Sequence, residues 1–156
     1  MKINDKVAFI TGGSGGLGSV IALRLAASGA NIAISYGQNL AMAKDIEAQI
    51  IAMGRKCCIL EMDQRDPLSI VNSVNHIVSE LGTIDILVNN AAWNAAVPFK
   101  DLDALTPELW DRMHETNLRG PFLVTRACAP HLRKNKMGRV INISAFIGLS
   151  AEGSSI

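Results

Sequence analysis

The sequence has few of the residues that mark several classes of protein. Its three cysteines, two of them adjacent at Cys57 and Cys58, are too few and badly spaced for a disulfide framework or a zinc site. No apolar run is long enough to cross a bilayer, and residues 1–6 lack the apolar core of a signal peptide. The 15 Lys and Arg residues are balanced by 14 Asp and Glu residues, and no strong basic run is present that could bind a nucleic acid. These absences favour a cytoplasmic protein with neither a membrane nor a nucleic-acid partner.

What the sequence does have is enough apolar content, 49% of its 156 residues, for one globular domain with a buried core. Short apolar runs alternate with helical patterns. We predict strands at 7–10, 31–35, 56–61, 84–88 and 139–143, and helices at about 16–28, 43–53, 66–81 and 106–134. Continuous apolar strands that alternate with helices predict a parallel sheet covered on both faces. The expected fold is a Rossmann-type, doubly wound α/β/α domain with strand order 3-2-1-4-5.

The stretch from Thr11 to Gly18 (TGGSGGLG) lies between the first predicted strand and the first predicted helix. A glycine-rich turn at that place lets backbone N–H groups and the positive end of a helix face a phosphate. Gly13-x-Gly15-x-x-Gly18 matches the general dinucleotide-binding fingerprint. That fingerprint also expects an acidic residue about 20 residues on, but the second strand ends near Tyr36 without one.

A second pattern in the same stretch, Thr11-Gly12-x-x-x-Gly16-x-Gly18, resembles the glycine motif of the short-chain dehydrogenase/reductase family. The resemblance implies that the turn binds a nicotinamide dinucleotide. The residues that it assigns to the cofactor here are Gly12, Ser14, Gly15, Gly16, Leu17 and Gly18.

Two further segments resemble the family at the carboxyl ends of the third and fourth strands. Asp63 and Gln64 follow the third strand, where the family's Asp meets the adenine end of the cofactor. Residues 89–92 (Asn-Asn-Ala-Ala) resemble the Asn-Asn-Ala-Gly motif that steadies the sheet and the cofactor. Ala92 stands where the family usually has glycine, and its methyl group reduces close approach. The cofactor-binding residues implied here are Asp63, Gln64, Asn90, Ala91 and Ala92, with Tyr36 after the second strand.

Residues 115–122 (ETNLRGPF) lie inside the predicted long helix and resemble the family segment that holds a catalytic Asn. Pro121 has no N–H, so the carbonyl of Asn117, four residues before it, loses its α-helical partner. A buried carbonyl then needs another partner, such as ordered water. The resemblance implies that this water joins a proton relay. We predict that Asn117 acts through its backbone oxygen and that the helix kinks there.

The fifth strand and the residues after it resemble the region of the family's catalytic Ser, with differences. That Ser usually lies three residues before a glycine, and counting back from Gly148 reaches Ala145, which has no hydroxyl. Either Ser144 takes the serine role after a one-residue shift, or the role is absent. The family's base is the Tyr of a Tyr-x-x-x-Lys motif, and the one tyrosine here is Tyr36. We therefore expect the chain to be the N-terminal part of a longer subunit, with an incomplete active site.

The resemblance implies an NAD(P)-dependent oxidoreductase that transfers hydride between nicotinamide and a small alcohol or carbonyl substrate, such as a 3-oxoacyl compound or a sugar. The missing acid near Tyr36 favours NADP, but neither Gly15 nor Gln38 supplies a basic side chain for its 2′-phosphate, so NAD stays open. The resemblance also implies a homodimer or homotetramer that forms through the helix at 106–134.

Two other interpretations stay open at this point. Without the Tyr and Lys pair, the chain could be a non-catalytic dinucleotide-binding module. An epimerase-like relative shares the fold, and its Gly-x-x-Gly-x-x-Gly spacing is also met by Gly12, Gly15 and Gly18. Trp93, after the fourth strand, either lines a substrate pocket or anchors its loop.

Overall fold

The computed structural model of the protein describes residues 2–98, 100–134 and 136–145. Strands and helices alternate along these residues. The strands are β1 Val7–Ile10, β2 Asn31–Tyr36, β3 Cys57–Glu61, β4 Ile86–Asn89 and β5 Arg139–Asn142. The α-helices are α1 Gly16–Ala27, α2 Leu40–Ala52, α3 Pro67–Leu81, α4 Pro107–His114 and α5 Gly120–Lys134. A short 3-10 helix (Leu102–Ala104) precedes α4, and a π-helical segment, Glu115–Arg119, joins α4 to α5.

The strands form one parallel sheet with the order β3-β2-β1-β4-β5, which confirms the predicted Rossmann-type topology. In the register of the three central strands, Phe9 pairs with Ala33 on one side and Leu87 on the other. The winding reverses between β1 and β4. In an open sheet of this kind, the crevice at the carboxyl ends of these strands is the place where ligands bind.

Local sequence explains where the helices begin and end. The side chain of Asp66 caps α3 by accepting a hydrogen bond from Leu68 N at 2.9 Å, and Pro67 occupies the first turn. Gly82 ends the same helix with φ at +87°, which glycine adopts without strain. Thr106 caps α4 through Leu109 N at 3.4 Å. The predicted starts of both helices and the predicted end of α3 are confirmed.

Helices cover the sheet on both faces, and each face has its own apolar core. Helices α1 and α2 lie on one face and α3 and α5 on the other. The buried residues of the first core are Ala8, Ile10, Ala22, Ala26, Ala30, Ile32, Ile34, Ala43, Ile46, Ile50, Ile86 and Val88. Those of the second are Val7, Phe9, Ala33, Cys58, Leu60, Met62, Ile70, Val74, Ile77, Ile84, Leu87, Val124, Cys128 and Leu132.

The predicted helix at 106–134, with its kink at Asn117, differs in detail in the structure. The π-helical segment interrupts the helix at that place and divides it into α4 and α5, with Gly120 N donating to Glu115 O, five residues back. The break directly precedes Pro121, which cannot donate to the Asn117 carbonyl in an α-helix. The fifth strand lies at the edge of the sheet, and all four residues of β5 are exposed. The loop predicted beyond Ala145 lies outside the described residues.

Candidate cofactor-binding site

The turn between β1 and α1 contains glycines that the protein itself needs. Gly12 has φ at +62°, a backbone conformation that other residues rarely adopt. A Cβ on Gly18 would overlap the carbonyl oxygen of Gly12 and lie 2.7 Å from Nδ2 of Asn90. A Cβ on Gly13 would overlap the side chain of Ile34. These glycines let the turn pack directly against β2 and the loop that follows β4.

Gly15 and Gly16 have different surroundings, because they face open space. A Cβ on Gly16 would meet no atom of the described residues within 4 Å, and one on Gly15 would meet only Gly12 O, at 3.4 Å. Helix α1 begins here with no side-chain cap on Gly15 and no acidic residue in its first turn. Backbone N–H groups and the positive end of the helix dipole are therefore available to an anion. The cradle fits a phosphate group.

The side chain of Thr11 joins the glycine turn to the loop that follows β4. Thr11 is fully buried, and its Oγ1 accepts hydrogen bonds from Asn90 N and Ala91 N, both at 3.0 Å. Asn90 returns the contact, because its Nδ2 donates to Thr11 O at 3.0 Å and Gly12 O at 3.3 Å. The hydroxyl of Ser35 accepts from Gly12 N at 3.1 Å. The carboxyl ends of β1, β2 and β4 are thereby fixed relative to one another.

Gln64 connects three other segments of the site. Its Nε2 donates to Ala91 O at 3.1 Å and to Thr116 O, in the π-helical segment, at 2.8 Å. The residue is almost fully buried, and a Cβ on Gly120 would lie 2.9 Å from Gln64 Cγ. Gly120 therefore makes room for the Gln64 side chain. In the structure Gln64 holds the π-helical segment against the β4 loop, and its predicted contact with the cofactor stays a prediction.

Asp63 and Arg65 form a close ion pair at the end of β3. The guanidinium of Arg65 donates to the Asp63 carboxylate at 2.6, 3.0 and 3.2 Å, and the backbone N of Arg65 adds a bond at 2.9 Å. These hydrogen bonds lower the pKa of Asp63, and the carboxylate in turn raises the pKa of Arg65. Asp63 is an ionised acceptor whose oxygens already have partners, and its predicted contact with adenine stays a prediction.

Trp93 is held by two residues of the helical region at 107–119. The side-chain amide of Asn117 accepts from Trp93 N at 2.9 Å and donates to Trp93 O at 2.7 Å. The same amide nitrogen contacts Sδ of Met113. The guanidinium carbon of Arg112 lies 4.2 Å from the centroid of the Trp93 ring, in a cation–π contact. Trp93 therefore anchors its loop through its backbone and supports a cation with its ring.

These segments surround a cleft of about 860 Å³ at the carboxyl ends of the strands. Its volume lies within the range of about 300–1,000 Å³ that is usual for ligand pockets. Every residue predicted to bind the cofactor lines it. These residues are Gly12, Ser14, Gly15, Gly16, Leu17, Gly18, Tyr36, Asp63, Gln64, Asn90, Ala91 and Ala92. Trp93, whose place the sequence left open, also lines the cleft.

Sequence reasoning missed several lining residues, above all Arg65 and Arg112. Arg65 is only two residues after Asp63, so an ion pair between them within one turn could have been predicted from the sequence. No such local signal indicates that Arg112 lines the cleft. An α-helix turns by about 100° per residue, so residues five apart, such as Arg112 and Asn117, point in different directions. The π-helical segment changes that spacing, and it has no clear signature in a single sequence.

The two residues predicted to be catalytic lie outside the lining of the cleft. Asn117 is next to it, in hydrogen-bond contact with Trp93, while its carbonyl's role in a relay stays a prediction. Ser144 is exposed beyond the end of β5. That end is tied to β4, because Ile143 N donates to Asn89 O at 2.9 Å and Asn89 Nδ2 donates to Asn142 Oδ1 at 2.8 Å. Ser144 thus follows the strand beside the cleft, and its role is untested.

A model of the short chain dehydrogenase family matches residues 6–155. The chain belongs to the short-chain dehydrogenase family. This confirms the resemblance that rested on the glycine motif, Asp63, residues 89–92 and Asn117. Because the family whose model matches is the short chain dehydrogenase one, the epimerase-like interpretation of the glycine spacing is not favoured.

The relatives of this short-chain dehydrogenase are longer proteins. The short-chain dehydrogenase/reductase FrzI of Cladobotryum sp is 37% identical over 142 residues, which are 91% of this chain and 53% of FrzI. A short chain dehydrogenase from Burkholderia cenocepacia J2315, solved in complex with NADP, has a TM-score of 0.88 and 33% identity over 99% of this chain and 61% of its own. NAD⁺-bound xylitol dehydrogenase has a TM-score of 0.88 and 28% identity, covering 99% of this chain and 58% of its own. The chain thus spans little more than half the length of these proteins.

Residues 2–98, 100–134 and 136–145 contain no cluster of three or more His, Cys, Asp or Glu side chains that could hold a metal ion. No helix in the same residues is both long enough and apolar enough to cross a bilayer.

Proposed function

We propose that this family member is an NAD(P)-dependent oxidoreductase that acts on a small alcohol or carbonyl compound, such as a 3-oxoacyl compound or a sugar. One observation carries the proposal: helix α1 begins without a cap at Gly15, and Gly16 beside it faces open space inside the cleft. The protein's own packing does not require Gly16, but a bound pyrophosphate does. When bound, the nicotinamide supplies the hydride acceptor or donor.

The fold divides the cleft into two halves around α1. In a doubly wound sheet, the acidic residue that bonds the adenosine ribose follows β2, so the adenosine lies over β2 and β3. Tyr36 and Asp63 line that half, and Asn90 and Ala91 line the half at β4. We assign the first pair to the adenosine and the backbone N–H groups near Gly16 to the pyrophosphate.

NADP is the preferred cofactor in this proposal, and NAD is the alternative. No carboxylate follows β2 at Tyr36 to bond the free ribose diol of NAD, although Glu61, the partner of Tyr36 on β3, also lines the cleft. The solved relatives with NADP and with NAD⁺ support a nicotinamide dinucleotide in general and leave the choice between them to experiment.

For the chemistry, we propose a proton relay that includes a water on the carbonyl of Asn117, and Ser144 as the hydroxyl that polarises the substrate oxygen. Supporting observations are the π-helical break at Asn117 and the position of Ser144 after the strand next to β4. The Tyr and Lys of the family motif are not among these 156 residues, so we propose that the site in this chain is incomplete.

Titration with NADPH and NADH, followed by a turnover assay on a panel of ketones, aldehydes and alcohols, tests the proposal. We expect NADPH to bind at least as tightly as NADH. NADH affinity that is about tenfold higher, near 1.4 kcal/mol, would overturn the preference for NADP. Failure to bind either one overturns the proposed function. Binding without turnover of any compound in the panel would favour the non-catalytic module that lacks the Tyr and Lys pair.

We also propose a cytoplasmic location and self-association through α4 and α5. The free thiols of Cys58 and Cys128, both buried, suit a reducing compartment. Cell fractionation tests the first point, and the second is tested by the oligomeric state of surface variants.

A further inference from the structure

Arg112 is a charged residue of the cleft without an evident task in the protein's own packing. It lies on α4, it is exposed, and it lines the cleft. Among the described residues, the acidic groups form ion pairs with Lys6, Arg55, Arg65 and Arg119, and none with Arg112. Its guanidinium is nevertheless held in place, because it lies 4.2 Å over the ring of Trp93. A guanidinium fixed on one face and free of ion pairs is a ready binding group.

The support beneath Arg112 is itself rigidly placed. Both backbone polar groups of Trp93 are bonded to the Asn117 side chain, at 2.9 and 2.7 Å. Thr116, the neighbour of Asn117, is bonded to Gln64 at 2.8 Å. A chain of contacts therefore runs from Gln64 through the π-helical segment to the Trp93 backbone. The Trp93 ring then supports Arg112. Such fixing reduces the conformational entropy that Arg112 loses when a ligand binds.

The place of Arg112 in the cleft is on the side of β3. Thr116, four residues after Arg112, accepts a hydrogen bond from Gln64 at 2.8 Å, and Gln64 directly follows Asp63, so this helical region packs against the end of β3. In keeping with this position, Arg65 has the larger effect in lowering the pKa of Asp63, and the charge of Arg112 adds to it. Asp63 lies just after β3 and lines the half of the cleft where a doubly wound sheet holds adenosine. A planar cation in that half is suited to an aromatic base.

Resting on the proposed function, we propose that Arg112 stacks on the adenine of the bound dinucleotide, with Trp93 on its other side. The three planes, indole, guanidinium and base, then lie in order at the mouth of the cleft. Because the carboxylate of Asp63 is already bonded to Arg65, the guanidinium of Arg112 remains available to contact the base. Arg112 is a positioning residue for the cofactor, and it recognises the base rather than the 2′-phosphate.

Fragment binding to the protein tests this assignment by calorimetry. The probes are ADP-ribose, 2′-phospho-ADP-ribose and nicotinamide mononucleotide. In Arg112→Met, which removes charge and plane but keeps the length, we expect affinity for both adenosine fragments to fall about tenfold. Affinity for nicotinamide mononucleotide should stay within about twofold. Arg112→Lys should fall between the wild type and Arg112→Met, because a lysine keeps the charge without the plane.

Two further variants separate stacking from a general effect. Arg24→Met is the matched control, because Arg24 is an exposed arginine of α1 outside the cleft. Trp93→Leu removes the platform and leaves the Trp93 backbone bonds to Asn117 available. We expect Trp93→Leu and Arg112→Met to be non-additive, since either one dismantles the same stack.

The outcomes are distinct. A loss confined to 2′-phospho-ADP-ribose would make Arg112 a phosphate receptor and overturn the stacking. Unchanged affinities in Arg112→Met, with a wild type that binds both adenosine fragments, would overturn this inference alone. A wild type that binds neither the fragments nor NADPH and NADH would overturn the proposed function and this inference together.

Discussion

Gly16 and Gly18 lie in the same turn, and a methyl group would have opposite consequences at the two positions. At Gly18 it would meet the Gly12 carbonyl and the Asn90 amide. At Gly16 it would meet no atom of the described residues within 4 Å. One glycine is therefore required by the fold, and the other is open toward the cleft.

We predict that Gly16→Ala leaves the free energy of unfolding within about 0.5 kcal/mol of the wild type but weakens NADPH binding about tenfold or more. The reason is that the added methyl group enters space that the pyrophosphate needs and the protein does not use. Gly18→Ala, the matched comparison, should lower the free energy of unfolding by about 1–3 kcal/mol through overpacking. Urea unfolding and cofactor titration measure both. Normal NADPH binding by Gly16→Ala would show that the ligand does not approach there.

The cysteines give a second prediction at this scale. Burial is the main cause that raises the pKa of Cys57 and Cys128 to about 12 and that of Cys58 to about 11. Each thiol therefore keeps its proton in the folded state as pH rises past the unfolded value of 9.0, so this contribution to stability is full below that pH and is lost progressively between that pH and the raised values.

At pH 8 we expect the native thiols to react with a thiolate-selective disulfide reagent at least about 100-fold more slowly than the same thiols in urea, since each pKa unit changes the thiolate fraction about tenfold. Absorbance of the released reagent follows both reactions. Rapid labelling of Cys128 in the folded protein, located by mass spectrometry, would contradict its burial in the α5 core.

At the scale of elements, the π-helical segment is the main departure from a regular αβ pattern. Its Asn117 side chain bonds both backbone groups of Trp93. An alanine at this position keeps the backbone carbonyl that the proposed proton relay would use and loses only the side-chain bonds. The Asn117→Ala variant therefore separates the two roles of the residue.

We predict that Asn117→Ala lowers the free energy of unfolding by about 1–3 kcal/mol, because two part-buried backbone groups of Trp93 lose their partners. It should also weaken dinucleotide binding, since Trp93 lines the cleft. Asn75→Ala, at an exposed Asn of α3, is the control and should change neither quantity by more than about 0.5 kcal/mol. Wild-type stability in Asn117→Ala would mean that the side-chain bonds to Trp93 contribute nothing measurable.

Most elements could be predicted because their signals are local. Helix α3 begins at Asp66 and Pro67 and ends before Gly82, and each of these residues acts within one turn of the helix end. The glycine turn was equally visible. The π-helical segment was not, because it depends on contacts between Gln64 and Thr116 and between Asn117 and Trp93, which are distant in sequence. Arg112 was missed for the same reason.

At the scale of the whole molecule, alternation of strands and helices was enough to predict the sheet order and the location of the cleft. A parallel sheet with right-handed crossovers has one place where the winding reverses, here between β1 and β4. The predicted cofactor residues meet there because the strands bring their carboxyl ends to one edge. The topology of the sheet does not predict binding surfaces outside the cleft, because those surfaces are formed by the outer faces of the helices.

One such surface lies along α4, the π-helical segment and α5. Trp110, Leu118 and Phe122 are 52%, 64% and 61% exposed along it. Next to them is a notch of about 350 Å³ whose lining includes Phe122 and Pro130. Large apolar side chains exposed together favour association with a complementary surface. A two-fold contact between copies uses the same patch twice, so one substitution changes both sides of the interface.

We predict that the protein forms dimers through this surface and that Leu118→Glu weakens the dimer about tenfold or more, because it places two carboxylates in an apolar interface. Leu68→Glu is the matched control. Leu68 is 67% exposed, close to the 64% of Leu118, but it lies on α3. Sedimentation velocity over a range of concentrations measures the dissociation constant of each variant. A monomeric wild type, or equal weakening by both substitutions, would contradict an interface at α4 and α5. The loss in Leu118→Glu alone would locate the interface on this surface, since the two variants share their chemistry and differ only in position.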